Sequence, residues 1–102
     1  MIYKILGKTD WDLWQAQGQW TGSADDLRDG FVHLSTAAQV LGTRRRHFST
    51  GKDLLLVGLD RAALTAGTGA LRLEASARGT LYPHWYGALP LAAVRTVEAL
   101  GH

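Results

Sequence analysis

Short apolar runs separated by turn residues set the pattern of this chain. Residues 2–6 alternate and are rich in β-formers, which predicts a first strand. The continuous apolar run at 54–59 predicts a strand that is buried on both faces and lies centrally in its sheet. Residues 71–75 alternate strictly, so that Arg72 and Glu74 point away from the apolar face of a third strand. The pattern therefore predicts a domain built on a sheet.

Two main helices are predicted between these strands. The first covers 11–17, with Thr9 or Asp10 as its N-terminal cap and Gly18 as its stop. A capping-box pattern at 23–26 then predicts one short helical turn. In both, a side-chain oxygen can accept the free backbone N–H groups of the first turn.

The second main helix is predicted to begin at Thr36, where Thr36 and Gln39 form another capping-box pattern. At about 100° per residue, its apolar face includes one arginine. The residues on that face are Ala37, Val40, Leu41, Arg44 and Phe48. We expect Arg46 to face solvent. Arg44 instead needs a buried acceptor, either a ligand phosphate or a carboxylate such as Glu74 or Asp29.

Four other segments are less regular. Residues 49–53 predict a turn, and 60–64 predict one helical turn that Asp60 caps. Residues 81–87 are aromatic and interrupted by a proline, which predicts an ordered extended loop. The end of the chain is ambiguous, because leucines and valines recur every three residues as in a helix whereas its β-branched residues favour a strand.

The composition indicates a single globular domain that spans residues 1–102. Hydrophobic residues make up 46% and charged residues 20%, which excludes a disordered chain. No apolar run approaches the roughly 20 residues of a membrane helix, and the N-terminus lacks the apolar stretch of a signal peptide. We therefore expect a cytoplasmic protein with no membrane partner. A net charge of +2 is too small to imply a nucleic-acid partner by itself.

Several catalytic and binding motifs are absent from the sequence. The chain has no cysteine, which excludes a disulfide framework, a thiolate metal site and a cysteine nucleophile. No phosphate-binding glycine loop and no serine nucleophile elbow occur. His33, His47 and His84 could meet in space, but no closely spaced pair of ligands supports them, so we expect no metal.

Two segments carry polar groups that suggest a site, and the first is the predicted strand 31–34. Alternation puts Phe31, His33 and Ser35 on one face. A helix that begins at Thr36 offers free N–H groups suited to an anion such as phosphate. The alternative is that His33 is a hydrogen-bonded core histidine and that Ser35 and Thr36 are only caps.

The second such segment is the aromatic loop 81–87. Its side chains alternate when extended, with Tyr82, His84 and Tyr86 on one side and Trp85 on the other. Rings beside an imidazole form a stacking wall for a flat ligand, although an aromatic loop can also simply close the edge of a core. Two positions are open for Glu74. It lies either on a solvent-exposed face beside Arg72 or at the floor of a cleft.

These segments together resemble the family called domain of unknown function 952. The two most specific motifs are Asp-Gly-Phe-Val-His-Leu-Ser-Thr at 29–36 and Pro-His-x-Tyr-Gly-x-Leu-Pro at 83–90. Shorter matches lie at 22–23, 47–48, 53–57 and 71–74. The resemblance extends from Ile2 to about Val97.

That family resembles a compact form of the ADP-ribosyltransferase fold, whose members include RNA 2′-phosphotransferases. The resemblance implies an α+β fold with a small split or strongly bent mixed β-sheet and two main short helices. It implies a cleft between two small sheets that binds NAD as a substrate and needs no metal. It also favours a strand over a helix for 93–98.

The resemblance further implies roles for individual residues. His33 would hold a ribose hydroxyl, and Tyr86 or Trp85 would stack on a ring. Glu74 would stabilise the positive ribosyl centre as nicotinamide leaves, or would activate the acceptor. The candidate catalytic residues are thus Glu74 and His33, and the candidates for binding the nucleotide are His33, Ser35, Thr36, Arg44, His84, Trp85 and Tyr86.

Two departures from the family pattern affect these roles. The family carries an arginine directly after the serine that follows the glutamate motif, whereas here Ser76 is followed by Ala77 and then Arg78. In a strand this shift moves the side chain to the opposite face. Trp85 stands where relatives carry leucine or isoleucine, which could narrow or extend the pocket.

The leading functional hypothesis is an NAD-using transferase that acts on a nucleic acid, a protein or a small molecule. Its cleft would be formed by His33, Glu74 and the loop from Pro83 to Gly87. This hypothesis requires His33 and Glu74 to lie within about 15 Å of each other, since one ligand must reach both.

Two alternatives belong to other classes. One is a non-catalytic module that binds a nucleotide or another phosphorylated small ligand through Arg44, His47 and the helix start at Thr36. The other is a structural protein that dimerises through a surface of Trp11, Trp14 and Trp20, so that both a monomer and a homodimer are open. Direct nucleic-acid binding is the least favoured, except where a nucleic acid serves as the transferase acceptor.

Overall fold

The computed structural model describes residues 1–48 and 53–100. The strands are, in chain order, β1 (Ile2–Gly7), β2 (Gln19–Trp20), β3 (Val32–His33), β4 (Ser35–Thr36), β5 (Leu54–Leu59), β6 (Ala70–Ala75), β7 (Leu81–Tyr86), β8 (Leu89–Pro90) and β9 (Val94–Ala99). The helices are α1 (Lys8–Gln17), α2 (Ala24–Asp29), α3 (Val40–His47) and α4 (Arg61–Thr65). The two main helices that the sequence predicts are α1 and α3, and α2 and α4 are shorter.

The described strands form three sheets. One sheet has the order β4–β1–β5–β9, a second pairs β2 with β8, and a third has the order β3–β7–β6. The α+β class is confirmed. The prediction of a mixed sheet is wrong, because every pairing among these strands is antiparallel. The turn between β6 and β7 joins consecutive paired strands, whereas the other pairings join strands that are far apart in the sequence.

Tryptophan side chains fill much of the core. Trp14 of α1 stacks on Trp20 of β2 with ring centroids 5.4 Å apart, and both rings are buried. They are therefore not available for the exposed dimer surface that the structural hypothesis assigns to them. The other members of this core are Ile2, Leu6, Val32, Leu34, Val57, Leu59, Leu64, Trp85, Leu89 and Ala93.

The first helix begins earlier than its capping residues predict. α1 starts at Lys8 with Gly7 at its N-cap, because β1 leads into it without an intervening loop. Thr9 and Asp10 therefore lie inside the helix, and the prediction that one of them caps it is wrong. The stop at Gly18 is confirmed, since this residue has the left-handed φ of 76° that glycine tolerates.

The second main helix is preceded by a short strand and a 3₁₀ turn. The strand β4 includes Thr36, and the turn Ala37–Gln39 follows it. Gln39 accepts a hydrogen bond from the Thr36 N–H at 3.1 Å, as a capping box requires. A 3₁₀ turn advances about 120° per residue instead of about 100°, so the residues after it point in directions that differ from those predicted for a continuous α-helix. Val40 is consequently buried, whereas Leu41 is 69% exposed and does not belong to an apolar face as predicted.

The segment predicted as a loop at 81–87 is instead the strand β7, the middle strand of its sheet. A proline cannot donate a ladder hydrogen bond, so it is unusual in a central strand. Here the Pro83 carbonyl accepts from the N–H of Leu34, which is one residue past the end of β3. Pro83 therefore lies beyond the end of β3, where the ladder no longer requires an N–H donor from β7.

The remaining predictions are mostly confirmed. β5 lies between β1 and β9, which makes it central, and Asp60 caps α4. β9 is a strand, and the helix-like spacing at its start belongs to a 3₁₀ turn at Leu91–Ala93. The predicted turn at 49–53 lies outside the described residues apart from Asp53. No helix among the described residues is long and apolar enough to cross a membrane.

Candidate functional site

The polar face of the sheet β3–β7–β6 collects most of the predicted site residues. Strand register places Glu74 opposite Tyr82, and places His84 between His33 on one side and Arg72 on the other. Antiparallel neighbours directly opposite each other point to the same face. The separate sequence segments that contain these residues therefore share one surface.

Four rings meet on this surface, and we call Phe31, His33, His84 and Tyr86 the ring cluster. Phe31 stacks on His84 with ring centroids 4.0 Å apart. It also makes edge contacts with His33 at 4.6 Å and with Tyr86 at 5.5 Å. The two imidazoles are 5.5 Å apart. Phe31 thus lies at the centre of the cluster and brings the two histidines together.

Glu74 is held at the edge of the ring cluster by two hydrogen bonds to the same oxygen. Its Oε1 accepts from the Tyr86 hydroxyl at 2.5 Å and lies 2.9 Å from His84 Nδ1. Both bonds lower the pKa of Glu74, and the bond from Tyr86 contributes more than the bond from His84. The bond between Tyr86 and Glu74 also raises the pKa of Tyr86. An ionised carboxylate only accepts, so His84 Nδ1 carries the hydrogen and a neutral ring leaves Nε2 as an acceptor.

Both ring nitrogens of His33 face carboxylates. Nδ1 lies 2.6 Å from Asp26 Oδ1, and Nε2 lies 3.1 Å from Asp29 Oδ2. Asp26 is buried, whereas Asp29 is 38% exposed. The inner bond is therefore structural, and the outer bond to Asp29 can be exchanged for one to a ligand.

Asp26 is the buried anchor beneath the ring cluster. Its Oδ1 also accepts from the His33 backbone N–H at 3.0 Å, and its Oδ2 lies 2.9 Å from both Lys4 Nζ and the Ser23 N–H. Burial by itself raises the pKa of Asp26, but the bonds from His33 and the charge of Lys4 outweigh it and hold the pKa well below its usual range. Gly22 permits this packing, because a Cβ there would lie 2.5 Å from Asp26 Cβ.

A pocket of about 300 Å³ adjoins the ring cluster. Phe31 and Asp26 belong to its lining, together with Leu27 of α2 and Gly87, which directly follows β7. Because Phe31 borders both the pocket and His84, a ligand in the pocket could reach the ring cluster without a change of fold.

Three of the predicted site residues, Ser35, Thr36 and Trp85, lie away from this surface or serve the fold. Ser35 is buried and its Oγ lies 2.8 Å from Thr43 Oγ1, and Thr36 is capped by Gln39. Trp85 is 1% exposed and points into the core on the opposite face of β7 from Tyr86, as alternation requires.

Arg44 does not pair with either predicted carboxylate. Within 1–48 and 53–100 its side chain makes no hydrogen bond or ion pair, whereas Glu74 is bound by His84 and Tyr86, and Asp29 by Arg28 and His33. Arg46 is exposed as predicted, but its guanidinium donates to the Tyr82 hydroxyl.

Four residues of this site are missing from the predicted set: Phe31 and Asp29 at the surface, and the buried Lys4 and Asp26 beneath it. A signal for Lys4 was present, because it is the one charged residue in the strand pattern at 2–6. Asp26 was assigned only to a capping box, which uses its backbone and one oxygen. In the described part of the chain, no three histidine, aspartate or glutamate residues are arranged to hold a metal ion. His47 lies in α3, on a different element from the other two histidines of the predicted trio.

A family model described as "Protein of unknown function (DUF952)" matches residues 5–97. The chain belongs to this family. The match includes every member of the ring cluster together with Glu74 and Asp26. The predicted membership is thus confirmed, whereas the resemblance to ADP-ribosyltransferases finds no support in these comparisons and remains a prediction.

Solved structures of a similar bacterial protein share the fold. The crystal structure of protein CC0527 from Caulobacter crescentus is 38% identical, with a TM-score of 0.89 over 98% of this chain and 85% of that one. Its solution NMR structure is similar at a TM-score of 0.82, over 97% and 83% of the two chains. The descriptions of these structures name no activity or ligand. No curated protein matches the chain.

Proposed function

We propose that the ring cluster binds the nicotinamide riboside end of NAD and that this DUF952 protein transfers the ADP-ribosyl group to an acceptor. The observation that carries the proposal is the position of Glu74, whose carboxylate is held beside the cluster by Tyr86 and His84. His33 is separated from Glu74 only by the ring of His84, which is well within the reach of one nucleotide.

The charge of Glu74 suits the chemistry of ribosyl transfer. The lowered pKa keeps this group ionised at neutral pH. A carboxylate near the reacting carbon stabilises the positive charge that develops on a ribosyl centre as its leaving group departs. The positively charged nicotinamide ring of NAD would also be attracted to this carboxylate.

The proposed step balances without a metal or an oxidant. The bond between the ribose C1′ and the nicotinamide nitrogen breaks, and nicotinamide leaves as a neutral molecule with the electron pair. An oxygen of the acceptor forms the new bond to C1′, and its proton passes to water. The acceptor could be a protein, a nucleic acid or a small molecule, as expected for relatives of ADP-ribosyl and RNA 2′-phosphotransferases.

His33 would orient the ribose. Its bond to the buried Asp26 holds the imidazole in place, while Nε2 can exchange the exposed Asp29 for a ribose hydroxyl. The adjoining pocket beside Phe31 has room for a flat ring of the substrate. These residues would therefore bind and position the substrate, and Glu74 would act on the reacting carbon.

One observation favours a second function, which is nucleotide binding without turnover. Oε1 of Glu74 already accepts two hydrogen bonds, and such bonds reduce the basicity of a carboxylate. A site of this kind would recognise the ribose and ring of a nucleotide but would leave it intact. Release of nicotinamide separates the two functions.

The test combines binding and turnover. We expect NAD to shift the NMR signals of His33, Glu74 and Tyr86 in ¹⁵N-labelled protein, and to release nicotinamide when an acceptor is present. Glu74→Gln should abolish release, whereas Glu98→Gln on β9 is a matched control that should retain it. Binding without release supports the second function. No shift with millimolar NAD or ADP-ribose means a binding free energy weaker than about −4 kcal/mol and overturns both.

A further inference from the structure

Among the described strands, β6 pairs only with β7 and forms an edge of the sheet that carries the ring cluster. The Pro83 carbonyl points towards β3, because it accepts from Leu34. Backbone groups alternate in direction along a strand, so those of Tyr82 and His84 point towards β6. There they lie opposite Glu74 and Arg72, respectively. The backbone N–H and C=O groups of Leu71, Leu73 and Ala75 consequently point outward, away from β7.

Apart from its two charged side chains, this edge lacks the usual features that prevent pairing with another chain. β6 is six residues long, contains no proline and carries no bulge in its pairing with β7. Leu73 at its centre is 55% exposed, and Leu81 on the same face of the sheet is 54% exposed. Long edges with exposed apolar residues are templates for strand addition.

The charges of β6 are self-complementary in one register only. A two-fold axis perpendicular to the sheet passes midway between the two copies of one residue. Residues equally far before and after that residue then lie opposite each other on the two strands. With the axis at Leu73, Arg72 of each copy lies opposite Glu74 of the other. With the axis at Arg72 or at Glu74, like charges would face each other, which is destabilising.

We propose that two copies of this chain pair through β6 around a two-fold axis at Leu73, which joins their sheets into one of six strands. The occupant is a second copy, because the strand complements its own charges in this register. The partner's Arg72 then lies opposite Glu74, on the same face as the ring cluster. Each copy thereby contributes a cation to the site of the other.

The other long edge does not offer this complementarity. Within the described part of the chain, β9 pairs only with β5, and its charged residues are Arg95 and Glu98. These residues are three apart, so no residue lies midway between them and no two-fold axis can place them opposite each other. Arg95 also donates to the Ala92 carbonyl and lies 3.6 Å from Asp60.

A single cysteine tests the proposed register, because the chain has none of its own. Residues that face each other in a hydrogen-bonded antiparallel pair have Cα atoms about 5.5 Å apart, which suits a disulfide. We expect Leu73→Cys to form a disulfide-linked dimer on mild oxidation. Arg72→Cys tests the competing register, and Val97→Cys is a matched control on β9. Failure of Leu73→Cys to cross-link, or equal cross-linking by a control, overturns the proposal.

Charge exchange provides an independent measurement by sedimentation equilibrium. Arg72→Glu or Glu74→Arg alone should weaken the dimer by about tenfold, because each creates two like-charge pairs. The double variant Arg72→Glu/Glu74→Arg should restore it. Single variants that dimerise like the original chain, or a purified chain that is monomeric at all concentrations, would contradict the proposal. Neither readout depends on NAD, so the dimer and the proposed function can fail separately.

Discussion

The ammonium group of Lys4 lies 2.9 Å from the carboxylate of Asp26 in the interior, where the two side chains are 6% and 1% exposed. The same carboxylate receives the backbone N–H and the imidazole of His33. Lys4 comes from β1, Asp26 from α2 and His33 from β3. This buried pair therefore joins the large sheet to the strand that carries His33.

Removal of the cation should destabilise the protein strongly. Lys4→Met leaves the Asp26 charge buried without its partner, and we expect a loss of about 3–5 kcal/mol in the free energy of unfolding in urea. The control is Lys8→Met, whose pair with Asp12 is exposed and should contribute about 0–1 kcal/mol. Equal losses in the two variants would show that the buried pair is not formed.

The same pair predicts a loss of stability in acid. A carboxyl with a lower pKa in the folded than in the unfolded state stabilises the fold above its unfolded pKa, about 3.9 for aspartate. This stabilisation is lost as the pH falls below about 4 towards the folded pKa. Asp26→Asn should therefore be less stable than the original chain at neutral pH and should lose less on acidification. Asp12→Asn is the exposed control, and an identical acid response in both variants would exclude Asp26 as the cause.

The hydrogen bond between Tyr86 and Glu74 can be tested by titration. Tyr86→Phe removes the largest contribution that lowers the Glu74 pKa, so this pKa should rise towards its ordinary value. The side-chain carboxyl ¹³C shift of Glu74, followed against pH, measures it. Tyr82→Phe is the matched control, because its hydroxyl lies on the same face but accepts from Arg46. A Glu74 pKa that is unchanged in Tyr86→Phe would argue against the bond.

Gly69 is required by the packing of Trp85. A Cβ at this position would overlap the indole ring, which is buried and rigid. We expect Gly69→Ala to lower the free energy of unfolding by about 1–3 kcal/mol. Gly67→Ala should cost much less, since its nearest neighbour would be the Leu64 carbonyl at 3.8 Å. Thermal unfolding of the two variants makes the comparison, and equal midpoints would refute the close packing.

Part of the candidate site was accessible from the sequence. Alternation alone put His84 and Tyr86 on one side of their segment and Trp85 on the other, and the structure keeps that division although the segment is a strand rather than a loop. Alternation works in both cases because any extended backbone turns successive side chains in opposite directions. The same pattern could not show that Phe31 would lie between two histidines from separate strands.

Local pattern was sufficient for the strands β1, β5 and β6 and for the capping boxes, because each depends on residues a few positions apart. It could not predict the partners of Arg44 and Asp26, because the partners of a charged group depend on which elements pack beside it. The packing of β1, α2 and β3 against one another decided that Asp26 binds both Lys4 and His33. Strand pairing decided which strand forms the edge of each sheet, because the strand order depends on contacts between segments that are far apart in the sequence.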